Sequence, residues 1–118
     1  MVNKRVNKNN NQESKDHIMN SLINLELTGI HLDITDDIRS YYNKKLHRLE
    51  FAANYLIDLL FKIIKETHGY KLEATMNFKW GSSAHIHVDG FEIYESIDKL
   101  FDKIELKVKK EKNKVKHH

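Results

Sequence analysis

The stretch from Glu92 to Lys114, EIYESIDKLFDKIELKVKKEKNK, carries two patterns that only a helix reconciles, and it dictates what the rest of the chain must supply. Ile93, Ile97, Leu100, Phe101, Ile104 and Val108 recur at i, i+4, i+7, i+8, i+11 and i+15, which stacks apolar groups along one side of a helix. A stripe of that length needs a partner surface to cover it. Lys99, Lys103, Lys107, Lys110 and Lys114 recur at i, i+4, i+8, i+11 and i+15, and at roughly 100° per residue they form a second stripe flanking the first. Glu95, Asp98, Asp102 and Glu105 gather on a third sector. Solvated helices tend to intersperse Glu and Lys at i, i+4 for mutual support. Here the signs are segregated: from Lys103 to the C-terminus there are seven lysines against two carboxylates. An ammonium ridge beside a packed core is a surface for polyanions.

The 118 residues suit one domain, large enough to bury a core without covalent staples. A net charge of +3 is mildly basic, so the distribution of charge says more than its sum. There is no cysteine, which excludes a disulfide framework and thiolate metal sites and fits a cytoplasmic address. No apolar run approaches the ~18 residues that span a bilayer, because Asp58 and Lys62 interrupt the greasiest stretch. An apolar signal-peptide segment is also missing at the N-terminus. No membrane association is expected.

Residues Met1 to Asn20 are rich in Asn and charge and poor in large apolar groups, so a disordered tail is expected there. A folded domain over 21–112 and a basic tail over 113–118 follow. Leu22 to Thr28 alternates around Ile23, Leu25 and Leu27 as a half-buried strand, and Gly29 is expected to end it. Thr35 can cap a helix, with Asp36 and Asp37 at its positive end. That helix is expected to run to Asn54, burying Ile38, Tyr42, Leu46, Leu49 and Ala53. Tyr41, Lys44, Lys45 and Arg48 stand beside the stripe, so the first helix also carries a basic flank. Ile57 to Lys65 has the branched apolar content of a strand. Tyr70 to Trp80 alternates strictly, as an antiparallel strand with one wet face does. A last strand carries Ala84, Ile86 and Val88 inward, and Asp89-Gly90 leads into the final helix.

The order β-α-β-β-β-α, with one greasy sheet face and one apolar stripe on each helix, predicts an α+β fold of two layers. Both helices lie on the same face of a four-stranded sheet. The two basic flanks are then candidates to line one groove. Phe78 and Trp80 belong to the inward face, which argues against a base-stacking sheet. His85, His87 and Asp89 share the other face as HxHxD, a candidate ligand set for a divalent ion. Steps of about 6 to 7 Å between alternate strand residues keep the outer pair from meeting one ion. Solvated histidines, no metal and no cofactor are therefore expected, and no catalytic cluster is indicated. Lys71, Glu73, Thr75 and Asn77 give the wet sheet face too much mixed charge for a hydrophobic protein seam.

Asn24-Leu25-Glu26-Leu27-Thr28-Gly29, His31 through Tyr41 (HLDITDDIRSY), Lys44-Lys45-Leu46 and Arg48-Leu49-Glu50 resemble the opening of the ribosome hibernation promoting factors and the related protein Y. Glu92-Ile93-Tyr94-Glu95-Ser96-Ile97-Asp98, Leu100, Asp102-Lys103 and the lysine-rich end resemble the family's second helix. The likeness covers about Leu22 to Lys112. It implies a non-enzymatic protein that occupies the decoding channel of the small ribosomal subunit and bars messenger and transfer RNA. The family's RNA contacts, carried onto matching positions, are Lys44, Lys45, Arg48, Lys99, Lys103, Lys107 and Lys110, followed by Lys109, Lys112 and Lys114. Tyr41 and Tyr94 read as packing residues. Reversing Lys103 and Lys107 to Glu is expected to abolish ribosome association with little loss of fold. Two departures stand out: Ile30 occupies a position usually basic or polar, so one RNA contact is expected to be missing, and Gly90-Phe91 replaces small residues before the second helix. A short member of this kind needs a separate factor to join two ribosomes and is expected to be a monomer off the ribosome. The rival reading is a free double-stranded RNA-binding domain without ribosome specificity.

Overall fold

A computed structural model gives the structure of the protein over residues 22–116, and the tail expected over 1–20 lies outside the described residues. Strand β1 (Asn24–Ile30) leads to helix α1 (Asp36–Lys45), which continues as a 3-10 segment (Leu46–Ala52). Strands β2 (Leu56–Glu66), β3 (Gly69–Phe78) and β4 (Ser83–Gly90) follow, then helix α2 (Ile93–Lys116). Thr35 caps α1 as its side chain predicts, its hydroxyl accepting a bond from the Ile38 amide at 3.2 Å with Asp36 and Asp37 in the first turn. At the start of α2 the cap is Glu92, whose carboxylate accepts from the amides of Tyr94 (3.2 Å) and Glu95 (2.8 Å).

The sheet runs in the order β1-β2-β3-β4, with β1 parallel to β2 and the remaining pairs antiparallel. Leu27 lies opposite Phe61, Phe61 opposite Ala74 and Ala74 opposite Ile86, so one face carries a continuous apolar row. The Phe61 ring packs on Tyr42 of α1 (centroids 4.9 Å apart) and stacks on Phe101 of α2 (5.5 Å). Contact of one sheet residue with both helices places them on the same side, giving the predicted two layers. The other face is mostly polar, with half-buried Leu60 and Ile64 among its polar residues. Asn24 and Asn77 each donate to the Asp58 carboxylate, at 3.2 and 2.8 Å, and Ser83 donates to Asn77 at 2.6 Å, tying all four strands at one row.

Several boundaries differ from expectation, each for a local reason. The first helix does not stay α-helical to Asn54: after Lys45 it tightens to 3-10. Leu46, Leu49 and Ala52 lie three apart, so a three-residue turn buries all of them on one line. Strand β1 continues through Gly29 and Ile30, which pair with Ile63 and Ile64. β2 begins with an irregularity between Leu56 and Asp58, which leaves Ile57 50% exposed while Leu56 and Leu59 both reach the core. β3 ends at Phe78, and Trp80 lies in the following turn, half-buried and stacked on Phe78 at 4.9 Å. Gly90 closes β4 because a Cβ there would collide with the Ser96 hydroxyl, and Phe91 is left 84% exposed. Helix α2 runs on to Lys116, two residues past the stretch read as helical from its spacing.

Gly29 sits where the chain leaves the sheet, and a Cβ there would run into the Leu32 carbonyl oxygen with Ile34 close behind. Backbone must move to admit it. Gly29→Ala is therefore expected to destabilise the domain by about 2 kcal/mol, lowering the thermal midpoint by roughly 10 °C in a circular-dichroism melt. An unchanged midpoint would show that the β1 exit yields without cost.

Candidate nucleic-acid interface

Helix α2 presents two unlike flanks because its apolar stripe fixes its rotation. Ile97, Leu100, Phe101, Ile104 and Val108 are wholly buried against the sheet and α1. On the β4 side stand Lys99, Lys103, Lys107, Lys110 and Lys114, the ridge read from the sequence, within a sector of about 80° at ideal helical spacing. The Lys103 ammonium donates to the His87 carbonyl of β4 at 3.2 Å. Lys107 and Lys114 both reach Glu111, at 3.3 and 3.2 Å. Burial pushes the Glu111 carboxyl up, but bonds from the Lys114 and Lys107 ammoniums outweigh it and hold the group below the usual carboxylate range. Lys44, Lys99 and Lys110 are exposed and form no ion pair among the described residues.

The flank toward α1 is different. Lys45 pairs with Asp98 at 2.9 Å, and Arg48 pairs with both Asp102 and Glu105 at 2.6 Å. Tyr41 donates its hydroxyl to Asp98 at 2.9 Å and meets Tyr94 edge-on at 5.0 Å, the packing role expected of both tyrosines. The basic flank of α1 therefore faces the acidic sector of α2, not the lysine ridge, and the two cationic surfaces do not share a groove. Lys45 and Arg48, expected among the RNA contacts, sit with carboxylates already in place. Spacing alone hid this. Each helix shows its charges by sector, whereas the partner of each sector depends on which flank turns inward.

Burial tends to raise the Asp98 carboxyl, but the hydrogen bonds from Lys45 and Tyr41 prevail and lower it from its ordinary value, while Asp98 raises Lys45. For a depressed carboxylate, the stability it contributes is present above its unfolded pKa and is lost as the pH falls through the folded value. Urea midpoints of wild type and Asp98→Asn should accordingly differ at neutral pH and converge as the pH drops below about 4. A gap that stays constant with pH would contradict the pairing.

Lys109 and Lys112 lie on the α1 side near the end of the 3-10 segment, Lys109 5.6 Å from the Phe51 ring centre and Lys112 5.2 Å from that of Tyr55. They form a second, smaller cationic patch. On the open sheet face His85 turns to Thr75 at 2.9 Å, while His87 approaches Asp89 at 3.8 Å. The HxHxD residues do not converge on a point, and among the described residues no group of three metal-ligating side chains comes together.

The lysine edge on the long last helix of this two-layer α+β domain is the candidate surface for an extended polyanion. The chain belongs to the sigma 54 modulation protein / S30EA ribosomal protein family, whose model matches residues 25–116. The ribosome hibernation promoting factor of Escherichia coli K12 is 31% identical over 96 residues, spanning 80% of this chain and 98% of the relative. That of Azotobacter vinelandii is 29% identical over 90 residues, spanning 76% and 83%. Among solved structures, the N-terminal domain of protein Y from Thermus thermophilus superposes with a TM-score of 0.65 at 27% identity, covering 74% of this chain and 97% of that one. A ribosomal subunit interface protein from Coxiella burnetii shares the fold, with a TM-score of 0.70 at 22% identity, covering 76% and 98%.

Proposed function

We propose that the protein is a cytoplasmic ribosome hibernation factor that binds the small ribosomal subunit in its decoding channel and bars messenger and transfer RNA from idle ribosomes. The observation that carries this reading is the lysine ridge of α2, five cations on one rigid edge, in a chain whose relatives are named for ribosome hibernation. The activity is occlusion, without a chemical step. Ammonium groups displace counterions from phosphates, so affinity falls as salt rises, and fit to folded ribosomal RNA comes from shape and backbone more than from base pairing edges. Lys99, Lys103, Lys107, Lys110 and Lys114 supply the principal contacts, Lys44 a separate one from α1 across the acidic seam, and Lys109 and Lys112 a patch on the flank away from β4. Lys45 and Arg48 lie at the helix seam, where they first fix the relative position of the two helices and reach phosphate only with the side-chain surface left exposed.

Sedimentation through a sucrose gradient tests the reading. Small subunits at low ionic strength are expected to carry the protein in preference to an equal mass of plain RNA duplex, and to lose it to a saturating unstructured messenger. Equal partition onto duplex would favour a general double-stranded RNA binder and overturn the proposal.

A further inference from the structure

Leu106 has no part in the core. It projects from the side of α2 opposite Ile97 and is 69% exposed, at the outer margin of the lysine ridge. With half-buried Ile86 of β4 it lines a shallow, open groove of about 240 Å³ whose other lining residues are Lys103, Lys107 and Lys110. No carboxylate lines it. Lys103 is held by the His87 carbonyl and Lys107 by Glu111, so two of the three ammoniums are fixed at the groove's edge.

An occupant must combine a small apolar face with closely spaced negative charge. An apolar floor of two aliphatic side chains is too small to be a protein-protein interface. The apolar stripe of α2 is already spent on the core, which leaves no face for a membrane. A nucleotide in a single strand fits: its base offers a flat face with little desolvation cost once unstacked, and phosphates lie on either side of it. We propose that this groove takes one unpaired nucleotide of a single-stranded RNA segment, its base on Ile86 and Leu106 and its flanking phosphates on Lys103, Lys107 and Lys110. This rests on the RNA-binding reading above and adds that the ridge grips a base as well as a backbone.

The test compares wild type with Leu106→Ser, an exposed substitution, on three probes in fluorescence anisotropy. These are a single-stranded RNA oligonucleotide, an abasic ribose-phosphate oligomer of the same length, and an acidic leucine-containing peptide. Leu106→Ser is expected to weaken binding to the base-bearing strand about fivefold, to leave the abasic oligomer unaffected, and to preserve the salt dependence of both. Equal affinity of the two proteins for the base-bearing strand, or an equal loss on both oligomers, would overturn the proposal. So would a Leu106 effect confined to the peptide, which would make the groove a protein site. Whether wild type binds small subunits at all is read separately by sedimentation, so failure of the hibernation reading and failure of the base subsite give different results.

Discussion

Replacing Lys99, Lys103 and Lys110 with glutamate is expected to abolish co-sedimentation with small ribosomal subunits while moving the thermal midpoint of the domain only slightly. All three are exposed on the β4-side flank of α2, and none neutralises a buried acid. The single bond lost is that from Lys103 to the His87 carbonyl. Reversal turns three attractive contacts into repulsive ones on a surface of concentrated phosphate, and a loss of about a hundredfold or more at 0.1 M salt is expected. Lys107 is left in place deliberately. Together with Lys114 it neutralises Glu111, a residue only 8% exposed, so reversing Lys107 sets a carboxylate against a nearly buried one and confuses binding with stability. The expectation that Lys103 and Lys107 form a clean reversal pair is thus corrected by the Glu111 pairing. Retained binding by the triple variant would move the interface off the ridge.

Ile97→Asp is expected to prevent folding altogether. Ile97 is fully buried within the core that α2 shares with α1 and the sheet. Truncation of such a side chain alone costs about 2 to 5 kcal/mol, and an unpaired buried charge adds several more. A domain of this size holds only about 5 to 15 kcal/mol in reserve. Far-ultraviolet circular dichroism at 25 °C should show loss of helix and sheet together. A folded Ile97→Asp protein would mean that α2 is dispensable to the core. The contrast between the two experiments separates the roles of one helix: the same few turns carry the fold on one side and the charge on the other.

Much of the architecture was legible because a single period ran long enough to fix each element. Leu72, Ala74, Met76 and Phe78 point inward without a break in β3, and the Ile93–Val108 stripe could be buried in only one rotation. Thr35 announced its helix by chemistry as well as by pattern. Where two readings shared one periodicity, the sequence was silent. Leu46, Leu49 and Ala52 satisfy a 3-10 turn, but Leu46, Leu49 and Ala53 satisfy an α-helix nearly as well. The irregularity at Ile57 inserts a residue without interrupting the apolar run, so nothing in composition marks it.

The helix seam is marked in the sequence by matched spacing on its two helices. Tyr41, Lys45 and Arg48 are spaced i, i+4, i+7, and so are Asp98, Asp102 and Glu105. Two rows with the same spacing and complementary hydrogen-bonding or charge character match along helices that run in the same direction. The contacts do rise together in number, from Tyr41 with Asp98 to Arg48 with Glu105. The ridge, by contrast, was visible from spacing alone because its lysines meet no such row.

We assign neutralisation of small-subunit phosphates to the α2 ridge and not to the seam, and the salt dependence of the dissociation constant measures this most directly. A plot of log affinity against log salt concentration should have a slope of about −4 for the wild-type protein. Lys99→Gln/Lys103→Gln/Lys110→Gln should make that slope shallower by about 2 to 3. A slope unchanged by the triple substitution, or affinity indifferent to salt from the outset, would contradict the assignment.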